Sequence, residues 1–469
     1  MSDKTHYDAI ILGSGQAGNP LAGALSANGK RTALVERAAA GGTCGNYGCT
    51  PTKTMVASAE VAELARRAAE YGIKVGAVSV DMPAVRERKR GMVKKWREGS
   101  EKRLKDAGLV DLIYGEASFA GPRQVLVRLR EGGERRLSAD LIVIDTGLSP
   151  ALPQLPGLES VPHLDNVSIM ELDELPEHLL VLGGGYVGLE FAQMFRRFGS
   201  RVSIVHNGQQ LLTQEDSDVA DEIAKVLRED GIEILLDAQA HSVTSSGSGL
   251  RLTVQADGAN REIEGTHLLV ATGRRPNTGG LNLAAAGIAI DERGYIRVDD
   301  KLRTTAEGVY AAGDVKGGPA FTHISYDDYR VLKANLLNGE DRSIAGRMLP
   351  YCVFIDPQLG RIGLSERQAR EQGRRVRVAK MPMTSVARAL ETSRSRGFMK
   401  ALVDPESEEI VGAAVLGDQG GELMSLLQVA MMGKLKYTVL RDSILAHPTF
   451  AEAVNNLFGH FEEEDRSTA

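Results

Sequence analysis

YDAIILGSGQAGNPLAGALSANGKRTALVE, from Tyr7 to Glu36, joins a short apolar run ending in glycines to an alanine-rich helical stretch and a second apolar run ending in an acid. That order is a βαβ unit. Gly13, Gly15 and Gly18 form G-x-G-x-x-G between strand and helix. The first glycine permits the tight turn, the second lets a pyrophosphate approach the backbone, and the third lets helix and strand pack closely. The helix start offers N–H groups to phosphate, and Glu36 at the strand end is placed to bond ribose hydroxyls. A dinucleotide site is expected here.

HLLVLGGGYVGLEFAQMFRRFGSRVSIVH, from His178 to His206, repeats the plan with Gly183, Gly185 and Gly188. The position Glu36 holds relative to Gly13 is held relative to Gly183 by His206. An acid there would repel the 2′-phosphate of NADPH. His206 either removes that repulsion, with Arg201 near in sequence, or is simply neutral. The second unit therefore takes a nicotinamide nucleotide, NADH or NADPH, with a lean to NADPH.

A chain of 469 residues suggests about three domains. Its 42% hydrophobic and 25% charged residues are a soluble globular mix. No apolar run approaches the ~20 residues a bilayer requires, and the polar start from Met1 to Tyr7 shows no secretory signal. No membrane association is expected, and the expected location is the cytoplasm. The net charge of −6 gives no general reason for a nucleic-acid partner. The basic run from Arg86 to Lys105 reads as a solvated helix face. Ser58 to Leu109 reads as two helices with a break near Gly72 to Pro83, and strands follow at VDLIYGEASFAG, QVLVRLR and ADLIVIDTG. Proline-rich Pro150 to Leu158 reads as a domain connection, and strands and turns are expected from Asn277 to Asp314. From about Pro350, strands YCVFID, GFMKALVD and IVGAAVLG precede a helix from Glu422, an α+β arrangement.

Three cysteines are too few for a secreted disulfide framework. Two lie in GGTCGNYGCTPTK, Gly41 to Lys53. On a regular helix residues five apart sit roughly 8–9 Å apart, whereas a disulfide needs Cα atoms within about 7 Å. A bond between Cys44 and Cys49 therefore needs an irregular segment, which Gly45 and Gly48 permit, with Pro51 opening the regular helix. A helix start lowers thiol pKa values. Two buried thiols or half a metal site are the alternatives, but no Cys/His cluster nearby completes one, so no resident metal is expected. Cys352, in a strand, reads as a core residue.

Gly41 to Lys53 resembles G-G-T-C-x-N-x-G-C-x-P-[ST]-K of the class I pyridine nucleotide-disulfide oxidoreductases, the family of dihydrolipoamide dehydrogenase, glutathione reductase and mercuric reductase. The resemblance covers essentially the whole chain. It implies two Rossmann-like domains for FAD and NAD(P) and a C-terminal α+β dimerisation domain. The FAD domain would comprise 1–150 and 277–346, the NAD(P) domain 151–276, and the interface domain 347–469. It implies that Cys49 faces the flavin, that Cys44 exchanges with substrate, and that Gly42 and Thr43 belong to the FAD site. Lys53 would lie near flavin N5 with Glu190 as its partner, and Tyr186 would gate nicotinamide entry. TTAEGVYAAGD, Thr304 to Asp314, resembles the second FAD signature, with Asp314 on the ribityl chain. ATGRRPN, Ala271 to Asn277 with Gly273, and DTGLSP, Asp145 to Pro150 with Thr146 and Gly147, resemble the two crossings between domains. The second is looser than the usual ATG-x-x-P, with no functional loss expected. AHPTFAE places His447 and Glu452 in the family's dyad spacing, which serves the disulfide of a second subunit and so implies a homodimer.

Departures bear on substrate. Gly23 and Ala24 stand where glutathione reductases carry arginines, and the C-terminal EEEDRSTA lacks the cysteine pair of mercuric reductases. PTKTMVASA, FTHISYDDYR from Phe321 to Arg330, and HPTFAEAVNNLF resemble a mercuric-reductase-like or dihydrolipoamide-dehydrogenase-like subgroup. The expected reaction is FAD-dependent NAD(P)H:disulfide oxidoreduction on lipoamide or another small disulfide or dithiol. The alternative is reduction of a metal ion as substrate. A redox-inactive binding role is argued against by Cys44, Cys49, Lys53, His447 and Glu452 occurring together.

Overall fold

The structure is a computed structural model that describes residues 5–247, 249–256 and 258–463. The first βαβ unit forms as β1 (His6–Leu12), α1 (Gly18–Ala27) and β2 (Thr32–Glu36). Next come α2 (Gly42–Tyr47), α3 (Cys49–Arg66) and α4 (Met82–Asp106), then β3 (Val110–Gly121), β4 (Gln124–Leu129), β5 (Glu134–Ile144) and the short β6 (Leu148–Pro150). The second unit is β7 (His178–Leu182), α5 (Tyr186–Phe198) and β8 (Arg201–Val205), followed by α6 (Ser217–Glu229) and β9 (Glu233–Leu235). A meander β10 (Gln239–Ser246), β11 (Gly249–Ala256), β12 (Ala259–Gly265) leads to β13 (His267–Val270), β14 (Arg274–Pro276), β15 (Val309–Ala311) and α7 (Thr322–Leu337). The last segment carries β16 (Tyr351–Val353), β17 (Gln358–Gly363), β18 (Arg377–Pro382), β19 (Phe398–Val403) and β20 (Ile410–Gly417).

The chain divides into two compact units. The first is built from the chain up to Met55, Ala84–Leu152 and Gly273–Arg347; the second from Val56–Pro83, Pro153–Thr272 and the chain from Met348 on. In the first, parallel strands run β3-β2-β1-β5-β15, and β4 joins β3 and β5 antiparallel. Alternate residues of a strand face opposite sides. Thus Ile10, Leu12, Val35 and Ile142 pack with Phe119 and Leu281, while Ala9, Ile11, Leu34 and Val143 pack with Leu21 and Leu25 of α1 and Leu332 of α7. Burial on both faces makes these strands continuous apolar runs. It also holds their C-terminal ends, where the glycine loop sits, in fixed register.

In the second unit a parallel sheet β13-β7-β8-β9 carries the other glycine loop, beside the β10–β12 meander. The segment from Met348 forms an antiparallel sheet β16-β17-β20-β19-β18. Two of its strands escape the pattern reading: β17 (QLGRIG) is broken by glycines and a buried Arg361, and β18 carries Lys and Arg. The strands expected between Asn277 and Asp314 shrink to β15 and isolated bridges, because turns close the backbone locally. The basic run lies on α4, whose residues are largely exposed. No helix among the described residues is long and apolar enough to cross a membrane.

Candidate active site

The helix carrying Cys44 stops at Tyr47, Gly48 adopts φ −126° and ψ −114°, and a new helix starts at Cys49. A Cβ at Gly48 would lie 3.1 Å from the Thr43 carbonyl oxygen, whereas Gly45 stands in open space. The irregularity therefore rests on Gly48 and not on Gly45. Across this break the two side chains meet in a hydrogen bond. Both stand as thiols, Cys49 the more exposed. The Cys49 sulfur lies 3.3 Å from the hydroxyl of Thr322, the first residue of α7.

The Cys44 thiol is pushed up, first by its hydrogen bond with Cys49, then by burial and by the Cys49 charge. The Thr322 hydroxyl and the Cys49 backbone pull the other way and lose. The expected lowering of thiol pKa thus does not extend to Cys44, because two sulfurs this close cannot both ionise. Buried Asn46 pins α2, donating to the Ala40 and Gly42 carbonyls at 3.0 Å and accepting from Arg97 at 2.8 Å. Thr43 is exposed beside Cys44, and Lys53 follows Cys49 by one turn of α3.

At the first glycine loop Gly13 has φ +102°, and a Cβ there would strike the Asp145 carbonyl at 2.3 Å. Buried Glu36 accepts from the Ser14 amide at 3.0 Å, the Ser14 hydroxyl at 2.7 Å and the Ala38 amide at 2.7 Å. Gly42, at φ +65°, would bring a Cβ within 2.7 Å of the Gly15 Cα. Glycine-lined backbone on both sides is the close approach a dinucleotide pyrophosphate needs, so these residues fit FAD. Asp145, at the end of β5, sends its carboxylate onto the Gly18 amide at 2.7 Å. Thr146 and Gly147 are tied to Asn277: Thr146 donates to its carbonyl at 3.0 Å, and Gly147 accepts from its amide at 3.0 Å. The Gly273 carbonyl accepts from Ala151 beside the β6–β14 pair. Asp314 lies 3.3 Å from Arg274. Burial raises its carboxyl against the opposing charges of Arg274 and Lys316.

The second loop copies the first. Gly183 has φ +114°, and a Cβ on Gly188 would lie 2.2 Å from the Gly183 carbonyl. Gly184 donates to His206 Nδ1 at 3.2 Å, as Ser14 donates to Glu36. Burial keeps the imidazole below its usual range, against the Gln210 backbone and Asp237. Arg201 starts β8 and His206 follows its end, about 16 Å along an extended chain. Arg201 is thus not beside His206. Gly185 precedes α5 in extended conformation, Tyr186 opens the helix, and buried Glu190 accepts from the Phe354 amide at 2.9 Å.

In the segment from Met348, His447 Nδ1 lies 2.9 Å from Glu452 Oε2. The Glu452 amide donates to Thr449 Oγ1 at 3.1 Å, which anchors the Glu452 backbone. With Nδ1–H donating to the carboxylate, Nε2 of this two-thirds exposed side chain is the basic nitrogen.

Comparisons with known proteins identify the family. The family model for pyridine nucleotide-disulphide oxidoreductase matches residues 7–328, and that for the family's dimerisation domain matches 349–458. The chain belongs to the pyridine nucleotide-disulphide oxidoreductase family. The probable pyridine nucleotide-disulfide oxidoreductase RclA of Escherichia coli is 38% identical over 456 residues, 96% of this chain and 98% of the relative. A mercuric reductase of Staphylococcus aureus is 32% identical over 96% of this chain and 81% of its own. A dihydrolipoyl dehydrogenase of Haloferax volcanii is 34% identical over 96% and 95%. Among solved structures, a Cu(II) complex of the HOCl-induced flavoprotein disulfide reductase RclA of E. coli is 37% identical, with a TM-score of 0.88 and coverage of 96% of this chain and 99% of that one.

As a family member the chain is an FAD-dependent disulfide oxidoreductase working with a pyridine nucleotide. Sequence reasoning missed three residues at the site: Thr322 on Cys49, Arg97 behind Asn46, and the inward-facing Asp145. FTHISYDDYR was read as a subgroup marker, and only the fold brings its threonine to the sulfur. A cluster of Asp216, Asp218 and Glu366 has metal-like spacing. Its centre is taken by Lys400 Nζ at 3.0, 2.8 and 2.7 Å, so the cation there is an ammonium.

Proposed function

We propose that electrons pass from a nicotinamide nucleotide through FAD to the Cys44–Cys49 pair and on to a small disulfide such as lipoamide, or the reverse from its dithiol. The observation that carries this reading is the meeting of the two cysteine side chains across the Gly48 break, with Thr322 on Cys49. Gly13, Gly15, Gly18, Glu36, Gly42, Thr43, Thr146, Gly147, Gly273 and Asp314 would hold FAD, which when bound supplies the two-electron link between nucleotide and disulfide. Gly183, Gly185, Tyr186, Gly188 and His206 would hold the nucleotide. Lys53 supplies a cation towards the flavin, and Glu190 a buried carboxylate. The domain limits at 150, 276 and 346, the homodimer and the cytoplasmic location belong to the same reading.

In this scheme the Cys44 thiolate attacks the substrate disulfide, giving a mixed disulfide and one thiolate product. That product takes its proton from His447 Nε2 of the dyad serving the other subunit's pair. The Cys49 thiolate, accepting a hydrogen bond from Thr322, then attacks the Cys44 sulfur. This remakes the disulfide and releases the second product as a thiolate, protonated in turn. The raised Cys44 thiol keeps one proton on the reduced pair, so a base is needed to release it.

For the nucleotide, a neutral His206 and the distance to Arg201 support NADH over NADPH, reversing the lean taken from sequence. Metal-ion reduction stands as a second reading, favoured by the Cu(II) complex of the related RclA. A steady-state panel of NADH and NADPH against lipoamide, glutathione disulfide, Hg²⁺ and Cu²⁺ tests both. Turnover with lipoamide, lost in Cys44→Ser, supports the first. Turnover with metal ions alone replaces it.

A further inference from the structure

Asp145 stands where the two FAD signatures converge. Its Oδ2 accepts from the Gly18 amide at 2.7 Å, and the Ala17 amide also bonds it, so it occupies the start of α1. Three glycines make room for it. A Cβ at Gly15 would lie 2.6 Å from Oδ2, one at Gly18 3.1 Å from the same atom, and one at Gly313 2.6 Å from Oδ1. The carboxyl is thus inserted between the first glycine loop and the Gly313–Asp314 turn, and it is buried.

Its charged surroundings are lopsided. From the Gly313–Lys316 turn Asp314 faces it, and from α7 Asp328 faces it. Asp314 is answered by Arg274 at 3.3 Å; Asp328 by Lys316 at 3.2 Å and Arg347 at 2.6 Å. On the loop side, Glu36 is bound to Ser14. Among the described residues no lysine or arginine pairs with Asp145. Burial, Asp314 and Asp328 push its carboxyl well above the usual range, against the Gly18 and Ala17 amides. A pyrophosphate brought to this helix start adds further negative charge, which a carboxylate would repel and a carboxylic acid would meet as a donor.

We propose that Asp145 is a cofactor-binding residue that holds a proton whenever FAD occupies the glycine loop, so that cofactor binding is proton-coupled. This rests on the reading of the loop as the FAD site. The sign follows from linkage. FAD raises the proton affinity of Asp145, so affinity is complete below the FAD-free pKa and falls as pH rises towards the FAD-bound one, by up to about tenfold per pH unit.

The test is dilution of the FAD-loaded full-length protein from pH 5.5 to 9, with released flavin measured by its fluorescence at equilibrium. Wild type is expected to release more FAD as pH rises. Asp145→Asn, which keeps shape and donor but cannot ionise, is expected to show a flat profile. A carboxylic-acid infrared band in the wild-type holoenzyme at neutral pH, absent from Asp145→Asn, is the second expected signature. A wild-type profile that is flat, or matched in slope by Asp145→Asn, overturns the proposal, and the wild-type profile alone suffices should the variant not fold. A protein that binds no FAD at any pH would instead remove the FAD reading itself.

Discussion

Replacing Lys400 by methionine removes the one ammonium at the centre of Asp216, Asp218 and Glu366 while nearly keeping the volume. Lys400 is 1% exposed and lies 2.7–3.0 Å from all three carboxylates. Breaking a buried ion cluster by removing one partner costs about 3–5 kcal/mol, and with Asp218 and Glu366 more than a quarter exposed the lower end, about 3 kcal/mol, applies here. For a unit of this size that corresponds to a fall in Tm of roughly 10 °C. The pH dependence is the sharper signature. Burial alone would raise the Asp216 and Asp218 carboxyls; hydrogen bonds from the Arg367 and Glu366 amides, Lys380 and Lys400 outweigh it and hold both below the usual range. Depressed acids contribute stability that is complete above their unfolded value, ~3.9, and is lost as pH falls through the folded one. Without Lys400, burial and mutual repulsion raise these carboxyls, so stability is gained as pH falls. Thermal melts followed by circular dichroism at pH 7.5 and pH 5, with FAD saturating, should show the deficit of Lys400→Met shrinking at pH 5. Added Ca²⁺ should raise the variant's Tm and leave the wild type unmoved, because the three carboxylate oxygens lie within 4.8 Å of one another. A variant melting within about 2 °C of wild type at pH 7.5, or one with an unchanged pH slope, would refute the reasoning.

Other predictions concern the redox and cofactor sites. In reduced Cys49→Ala, Cys44 loses the neighbour that raises it, so iodoacetamide alkylation at pH 7 should run faster than at Cys44 in the reduced wild type. Gly42→Ala forces a side chain into φ +65° with its Cβ 2.7 Å from Gly15. The strain of about 1–2 kcal/mol should weaken FAD binding roughly tenfold, read from flavin fluorescence. Glu452→Gln keeps a hydrogen-bond partner for His447 but removes its charge. It should lower kcat for disulfide turnover by about 10–100-fold and leave Tm within about 1 °C, since His447 is two-thirds exposed.

The glycine loops and the cysteine segment were legible because their chemistry is local. A turn needing positive φ, a helix start and an acid at the strand end fall within one βαβ unit, and the ruler from Gly13 to Glu36 transferred to His206 down to the same amide contact. Thr322 lies 273 residues from Cys49, and Asp145 lies 127 from Gly18, so no spacing links them. Asp145 passed as a loose match to a crossing motif because a pattern does not show which way a carboxyl points. Nothing in the sequence singles out Lys400 and Arg361 as buried, since burial of a charge becomes visible only when its partners are assembled around it. Arg201 is near His206 in sequence, but an extended strand carries it to the far end of β8.

The two glycine loops also differ in how firmly they are built. Glu36 fastens its loop through two contacts to Ser14, at 2.7 and 3.0 Å, whereas His206 touches its loop once, at 3.2 Å. A loop set rigidly before its ligand arrives loses little freedom on binding and lets go slowly; one held by a single long contact gives up its guest more readily. On the proposed assignment of the two loops, one duplicated βαβ plan would supply both a berth for a resident and a doorway for a traveller.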